Sequence, residues 1–444
     1  MTTIPQLSQT MQTLLTTTTE DLAADLGYVQ RPDRAKFTPS TLVQTLVYGW
    51  LAHPSASIEQ LAHMAGRIGV DVSPQAIDQR FTDATATLLH QLVLASVQHV
   101  IAADPVAIPI LQRFTSVRIH DSTSIKLPDA LTAVWRGCGN NTSRGTAGLK
   151  CSVQVDLLTG ALCGLDLVDG RTSDYTVPVQ HAPLPAGSLR LADLGFYSMD
   201  VLAALDEMGV YWLSRLPCKS RVTVPGQPTS SLIALLEQRH DVDQWETAAR
   251  IGTYRQLPVR LMVRRVPQEV ADQRRRRIRE EVKDKRRAPS AAALAVADWT
   301  VIITNAPAEL LNLTEALLLT RIRWQVELLF KLWKSHGRLD EWRTRKPARI
   351  LCELYAKLLG LVFQQWILAA SSWRDPERSM FKAANLVAQG ACDLARVSHD
   401  VDRLTQALEQ LAGMIRRWAR TNKRQKKPTT AQRLLAIAPL EPQA

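Results

Sequence analysis

Three acidic residues in separate segments of the chain could bind metal ions. Asp121 lies where apolar and polar residues alternate, so it falls on the apolar side of a predicted strand, where a carboxylate needs a partner or a metal. Asp193 lies at the carboxyl end of the predicted strand 189–193 and precedes a predicted helix, the position at which open α/β sheets bind ligands. Glu327 lies in the run 321–334, which has no Gly or Pro and is predicted to be helical. Hard divalent cations prefer such oxygen ligands.

Basic residues surround Glu327 on this predicted helix. Arg323 lies four residues before it, and Lys331 and Lys334 lie four and seven residues after it. A continuous helix places all four side chains on one face, and apolar residues occupy most of the remaining circumference, so we expect the helix to be largely enclosed. The charges are either salt bridges on a solvated stripe, or an acid that holds a metal ion beside bases that bind phosphate oxygens.

Three converging acids would suit chemistry on a phosphodiester. Two cations held by them would favour in-line attack, because one activates water or a 3′-hydroxyl and the other stabilises the leaving oxygen. The sequence has no Walker-type glycine-rich loop and no GxSxG motif, so ATPase and serine-hydrolase activities lack support. Its six cysteines form no CxxC pair, which indicates neither a disulfide framework nor a zinc site and favours a reducing cytosol.

The charge of the chain favours a polyanionic partner, most commonly nucleic acid. The net charge is +12 over 444 residues, yet residues 1–110 carry five Arg or Lys against nine Asp or Glu. The excess positive charge therefore lies further along, and residues 271–287 carry nine basic against four acidic residues. This run is either a solvated helix face or a contact with a phosphate backbone. Its densest part is Arg274, Arg275, Arg276 and Arg277.

No segment is predicted to enter a membrane. The N-terminus lacks the charged region and apolar core of a signal peptide. The most apolar later stretch, 358–370, is interrupted by Gln364 and Gln365 and is too short to span a bilayer. We therefore expect a cytoplasmic protein.

The rhythm of the sequence predicts an α/β core flanked by helical regions. Runs typical of strands occur at 117–127, 149–158, 161–168, 189–193, 211–216 and 298–304. We predict a helical N-terminal domain at 1–112 and the first part of the core at 113–216. A β-rich basic insertion follows at 217–297. The second part of the core, with the Glu327 helix, lies at 298–373, and a helical C-terminal region with a basic tail lies at 374–444. Within the first, the helix-break-helix at 58–81 fits either a DNA-binding helix-turn-helix or a packing bundle.

Three motifs, taken together, resemble the DDE transposases of bacterial insertion sequences, specifically the IS-four type. They are HDST at 120–123, ADLGFYS at 192–198 and RWQVELLFKLWK at 323–334. The resemblance is good over 113–216 and 298–340 and extends to the other regions only in general layout. Arg323, Glu327 and Lys334 match the Tyr-Arg-Glu-Lys signature of the family at its spacing. The tyrosine position is Thr320 here, which removes an aromatic hydroxyl near the DNA but leaves the acid triad intact.

The resemblance implies an RNase H-like catalytic core, a mixed sheet flanked by helices, with the β-rich insertion between the second Asp and the Glu. It implies that Asp121, Asp193 and Glu327 are catalytic and bind Mg²⁺, which Mn²⁺ can replace, in a two-metal site. It also implies that bases near Glu327 hold DNA phosphates; these are Arg323, Lys331 and Lys334.

A tryptophan of the insertion stacks on a flipped base in related enzymes, and Trp299 lies 28 residues before Glu327, a similar distance. Such stacking is worth about 1–3 kcal/mol. The alternative is that Trp299 is a core aromatic of the strand at 298–304. Trp245 is a weaker candidate for the stacking role.

The implied function is cut-and-paste transposition. The protein would bind terminal inverted repeats, cleave DNA and join the 3′-hydroxyl to target DNA, as a homodimer that pairs two DNA ends and associates with the nucleoid when bound. Two alternatives use the same fold: a nuclease without strand transfer, and a domesticated DNA-binding protein without activity. The intact acid triad argues against the second.

Overall fold

The computed structural model describes residues 2–28, 36–139, 146–284, 288–422 and 430–436. It divides them into two compact units. The first unit contains Met1–Gln112, Asp121–Thr172 and Gln325–Ala436, and the second contains Arg113–His120 and Ser173–Trp324. The predicted basic tail at 423–427 lies outside the described residues.

Helices and strands are mixed in the middle of the chain, whereas both ends of the chain are helical. The helices are α1 (Ile4–Leu15), α2 (Thr17–Asp25), α3 (Pro39–Ala52), α4 (Ile58–Arg67), α5 (Pro74–Asp78), α6 (Asp83–Ser96), α7 (Met199–Glu207), α8 (Leu232–Gln238), α9 (Gln268–Asp284), α10 (Ala291–Val296), α11 (Leu313–Ile322), α12 (Trp324–Ser335), α13 (Pro347–Ser372), α14 (Met380–Val397), α15 (Val401–Trp418) and α16 (Thr430–Leu435). The strands are β1 (Val117–Leu127), β2 (Ala147–Asp156), β3 (Leu162–Asp169), β4 (Leu189–Ala192), β5 (Tyr211–Arg215), β6 (Arg221–Thr223), β7 (Ser230–Ser231), β8 (Gln244–Ile251), β9 (Leu257–Arg265) and β10 (Trp299–Thr304).

Local sequence signals explain where many helices begin. Thr38 and Ser57 cap α3 and α4 with capping boxes, since each hydroxyl accepts a backbone N–H and the side chain three residues later returns a bond. Ser73 caps α5, as the Ser-Pro pair predicts, and Ser198 caps α7. The α5 helix has only five residues and α4 contacts α3, so this region contains a short helix-break-helix within a packed bundle.

The core of the first unit is built around α13. This helix of 26 residues extends beyond the predicted apolar stretch, and its length and composition would allow it to cross a membrane. Its most apolar window is nevertheless 100% buried inside the protein, with α1, α3, α6, α14 and α15 packed around it. It therefore forms the central helix of this packed bundle.

The first unit also contains β2, β3 and the part of β1 from Asp121 onward, in the order β3-β2-β1. The β2 and β3 strands pair antiparallel, as predicted. The turn between them contains Gly160 at φ +75°, a conformation that favours glycine. A Cβ at this position would clash with the indole ring of Trp373. Glycine is thus required here both by the backbone and by close packing.

The second unit contains the larger part of the sheet, with strands in the order β1-β4-β5-β10-β9-β8-β6-β7. Pairing is parallel from β1 to β4 and from β4 to β5, and antiparallel from β5 onward. One face packs an apolar core against α7 and α8, with Trp212, Leu261 and Ile303 among its buried residues. This mixed sheet flanked by helices confirms the α/β fold class.

The predicted strands of the α/β core are all present, with ends that differ by one or two residues. The rhythm is broken between β5 and β10, where the chain forms the antiparallel hairpin β8–β9, several short elements and the basic helix α9. The prediction of one continuous helix over 321–334 is wrong in one respect. The helix is interrupted at Arg323, which ends α11 and precedes α12, although its backbone keeps helical dihedral angles (φ −45°, ψ −31°).

Candidate active site

Asp121 lies near the middle of β1 and is half-buried. Its Oδ1 accepts a hydrogen bond of 2.8 Å from the backbone N–H of Ser122. The predicted alternation of burial is clear at Val117 and Ile119, and again at Ile125, but it lapses between them. Asp121 therefore does not lie on a fully buried face. It is accessible enough to accept a ligand and shielded enough for that ligand to feel a reduced dielectric.

His120, immediately before Asp121, is fully buried and lies edge-on to Phe196. Burial holds its pKa well below the usual value, and the charges of Arg190 and Arg118 lower this pKa further. The imidazole therefore stays neutral at physiological pH. It packs against Phe196 and is not suited to act as a cationic phosphate contact.

Asp193 directly follows β4, as predicted, and starts a single turn of 3₁₀ helix at 194–196. Its side chain is 44% exposed, and its Oδ1 lies 3.7 Å from a guanidinium nitrogen of Arg323 in the same unit. Gly195 allows a close approach, because a Cβ there would lie 2.9 Å from Oδ2 of Asp174. This explains the glycine of the ADLGFYS motif. It also places a second carboxylate, that of Asp174, against the turn after Asp193.

Glu327 lies in the first turn of α12 and is half-buried. Val326, Leu329 and Trp333 are buried, so most of the helix is enclosed, as predicted. Lys334 donates from Nζ to the backbone oxygen of Ser124 on β1 at 2.9 Å. This bond, within the first unit, ties α12 to the strand that carries Asp121.

The other predicted phosphate-binding residues differ in their surroundings. Lys331 is exposed on α12. Arg323, by contrast, is only 17% exposed and faces Asp193. It lies between α11 and α12 and does not share a continuous helix with Glu327. Thr320, at the tyrosine position of the signature, donates its hydroxyl to the backbone oxygen of Ala316 inside α11. Its short side chain is therefore used within its own helix.

The four-arginine run on α9 separates into two pairs. Arg274 donates to the backbone oxygen of Trp299 at 2.8 Å and to Oγ1 of Thr300 at 3.1 Å. Arg275 bonds Asp272 and Asp298. Both pairs of contacts fasten α9 to its own unit. The two remaining members of the run are exposed; these are Arg276 and Arg277.

Trp299 begins β10 and is buried, with 6% of its surface exposed. The guanidinium carbon of Arg265 lies 4.3 Å from the centre of its ring, a cation–π contact that covers one face. Trp245 is similarly buried, at 9% exposure, beneath Arg239. Both belong to the apolar core of the second unit. Their placement corresponds to the core-aromatic alternative, and base stacking by either ring stays a prediction.

Among the described residues, no group of three or more His, Cys, Asp or Glu side chains lies close enough together to hold a metal ion. The convergence of the three acids thus stays a prediction. The last registered pair of β1 and β4 is His120 with Ala192, and Asp121 and Asp193 are the next residues of the chain after each.

Comparisons with known proteins identify the family. A family model described as the transposase DDE domain matches residues 112–363. The transposase for insertion sequence element IS231F of Bacillus thuringiensis subsp. israelensis is 28% identical, covering 92% of this chain and 90% of that protein. The transposase for IS231E of Bacillus thuringiensis subsp. finitimus is 25% identical over the same shares, and the transposase for IS1151 of Clostridium perfringens is 25% identical over 79% of this chain and 77% of its own length.

The matched region includes β1, β4 and α12, and the family model covers more than half of the chain. The chain therefore belongs to the transposase DDE family, whose members cleave DNA and transfer strands with the help of divalent metal ions. The resemblance to the IS-four type, inferred from three motifs, is confirmed. The prediction of an insertion-sequence transposase that acts on DNA is confirmed with it.

Proposed function

We propose that this transposase binds the terminal inverted repeats of its own element, cleaves the DNA there and joins the freed 3′-hydroxyl to target DNA, with Asp121, Asp193 and Glu327 as its catalytic acids. The observation that carries the proposal is the placement of these acids. Each is half-exposed and lies in, or directly after, a strand or helix inside the region matched by the family model. We propose that this region is an RNase H-like core interrupted by the β-rich insertion at 217–297.

Two distances along the chain support convergence of the acids. From the bond between Lys334 and Ser124, Glu327 lies seven residues back along α12, about 10 Å at 1.5 Å per residue. Asp121 lies three residues back along β1, also about 10 Å at 3.3 Å per residue. Both acids thus lie at similar distances along the chain from one contact inside the first unit, which is compatible with a shared site. Asp193 directly follows β4 inside the region matched by the family model, which supports its assignment as the third acid.

The acids suit a hard divalent cation, because carboxylate oxygens are the ligands that Mg²⁺ prefers. We propose Mg²⁺, in a two-metal site, with Mn²⁺ as a substitute. When bound, the ions would lower the pKa of an attacking water or hydroxyl and neutralise charge on the phosphodiester. The protein itself supplies negative ligands at half-buried positions, with the apolar body of α12 restricting access of bulk water around Glu327.

The bases near the acids would hold the DNA. The Arg323 guanidinium, now opposite Asp193, is suited to bind a phosphate of the transposon end in a bidentate manner. We propose Lys334 and Lys331 as further phosphate contacts, with Lys331 the more accessible. Of the α9 run, the exposed Arg276 and Arg277 are better placed for DNA than the two arginines bonded within the unit. The buried ring of Trp299 favours a packing role instead of base stacking.

The remaining parts of the proposal follow from the reaction. Joining two ends of one element requires two active sites held together, so we propose a homodimer in the DNA complex. Reaction with chromosomal DNA places the enzyme in the cytoplasm, associated with the nucleoid when it is bound. Residues 1–112 form a helical bundle with a negative balance of charge, which favours packing over groove binding through this region alone.

The test uses the purified protein, a labelled duplex that ends in the terminal sequence of the element, and Mg²⁺. The isosteric variant Glu327→Gln is compared with wild type and with Glu309→Gln, which removes an exposed acid outside the matched motifs. We expect wild type and Glu309→Gln to nick the duplex at the repeat boundary and to yield joined product. Glu327→Gln should bind the same duplex equally well, with cleavage reduced at least a thousandfold, the order typical of loss of an essential catalytic group.

Cleavage that persists in Glu327→Gln would refute the assignment of this acid. Cleavage without joined product would indicate the nuclease. Binding without cleavage in every variant would indicate the inactive DNA-binding protein.

A further inference from the structure

We propose that one end of the sheet face opposite the apolar core of the second unit binds the phosphate backbone of DNA through the exposed Arg215, Arg264 and Arg321, which lie around the internally bonded Arg274. These residues are here called the arginine surface. The inference rests on the proposed function, since DNA is its ligand, but it involves none of the motif residues. These four arginines come from β5, β9, α9 and α11, which are far apart in sequence.

The pairing of strands places the arginines on the face opposite the apolar core. Ile302 of β10 pairs with Arg215, and Thr300 pairs with Arg264. Directly opposed residues of antiparallel strands point to the same side, and residues two apart on one strand do so as well. Arg215 and Arg264 therefore share a face with Thr300. The alternate residues Val301 and Ile303 belong to the core on the other side.

Arg274 lies at the centre of the arginine surface. Its guanidinium bonds Oγ1 of Thr300 and the backbone oxygen of Trp299, so it is fixed against this face of β10. Burial lowers its pKa, and the nearby charges of Arg215 and Arg321 lower this pKa further. Arg321 reaches them from the last turn of α11, a helix that contacts β5.

Nearby acids do not offset this charge. Glu246, on the same face, is paired with Arg260 at 3.0 Å, and Asp298 is paired with Arg275. In the part of the chain that the structure describes, Arg215, Arg264 and Arg321 are exposed and form no ion pair. Like charges gathered without counterions raise the energy of the free protein, and a polyanion relieves this repulsion on binding. Guanidinium groups match phosphate geometry better than any other side chain.

The arginine surface borders the edge of the sheet at which Asp193 lies. The strands β4 and β5 run parallel, with Leu191 in register with Leu213. Two residues further on, β4 gives way to Asp193 and β5 ends at Arg215. Neighbouring strands are about 4.8 Å apart. A DNA backbone held by the arginine surface would therefore lead directly to the carboxyl end of β4.

The test measures the salt dependence of binding to a labelled duplex of arbitrary sequence, without divalent metal so that no cleavage occurs. The variant is Arg215→Gln/Arg321→Gln, which leaves the internally bonded Arg274 in place. The control, Arg396→Gln/Arg403→Gln, removes the same charge at two exposed arginines that are already paired with Asp393 and Asp400. Thermal unfolding checks that both remain folded.

We expect the slope of log K against log [salt] to become shallower by about two in the test variant, since each phosphate contact contributes about 0.9. The control should keep the wild-type slope, and Arg215→Lys/Arg321→Lys should largely restore it because charge carries this effect. An unchanged slope in the folded test variant would overturn the inference while leaving the proposed function intact. A shallower slope in a protein that fails to cleave transposon ends would support the inference and reject the catalytic proposal.

Discussion

The buried ion pair on α13 allows a quantitative prediction about the segment that follows the Glu327 helix. Lys357 and Glu353 are one turn apart, 2% and 6% exposed, with Nζ and Oε1 at 2.7 Å. Lys357 also donates to the backbone oxygens of Arg338 at 2.9 Å and Glu341 at 2.8 Å. Since the bend after α12 includes Arg338 at φ +43°, a strained conformation for arginine, this lysine holds a segment that would otherwise relax.

Replacing Lys357 by Met keeps the length of the side chain and removes its charge. Glu353 is then buried without its counterion, and two carbonyl oxygens lose a donor. Breaking a buried pair from one side typically costs about 3–5 kcal/mol. For a unit of this size each kcal/mol lowers the unfolding midpoint by about 2–4 °C, so we expect a decrease of roughly 10 °C at neutral pH.

The pH dependence has a defined sign. Burial raises the pKa of Glu353, an effect that Lys357 partly offsets, so the pKa rises further in Lys357→Met. A carboxyl whose folded-state pKa exceeds its unfolded value destabilises the fold above the folded pKa, and this penalty fades as pH falls and the group takes up a proton. The deficit of Lys357→Met relative to wild type should therefore be largest at neutral pH and should shrink toward acid pH.

Scanning calorimetry over about pH 5–8, where most proteins stay folded, would measure this effect. The double variant Glu353→Gln/Lys357→Met is the control, because a neutral amide in place of the stranded carboxylate should recover part of the stability and remove the pH dependence of the deficit. If Lys357→Met unfolds at the wild-type midpoint throughout the range, the buried pair does not stabilise the fold as described.

Two further predictions concern single positions. Gly160→Ala should destabilise the first unit by more than about 2 kcal/mol, because the new Cβ meets Trp373 at a positive φ. Gly226→Ala, at nearly the same φ but in open space, should cost only about 1 kcal/mol. Chemical denaturation would compare the two variants, and equal losses of stability would contradict the packing argument. Arg323→Gln should change the free energy of unfolding by no more than about 1 kcal/mol relative to wild type, because its partner Asp193 is 44% exposed. The same variant should bind transposon-end DNA roughly tenfold or more weakly. Retained affinity in a binding titration would contradict the phosphate role of Arg323.

Much of the fold was predictable from local sequence. The strand runs are present, and Ser73 and Ser198 begin helices as expected, because capping and alternation act over only a few residues. The long α13 helix also follows its apolar pattern. The break at Arg323 was not predictable in this way, since residues 321–334 contain no helix breaker. The side chain of Arg323 faces Asp193, a residue far away in the sequence, and local spacing does not encode such a contact.

The sequence by itself determined the family and predicted which residues carry the chemistry. The motifs around Asp121, Asp193 and Glu327, the positive charge and the family all follow from residue identity and spacing along the chain. Tertiary structure decided how the other residues are used. It buried Trp299, bonded Arg274 and Arg275 inside their own unit, and gathered an arginine surface from four distant elements. The physical reason is that cross-strand pairing and burial depend on residues far apart in the chain, which local spacing does not encode.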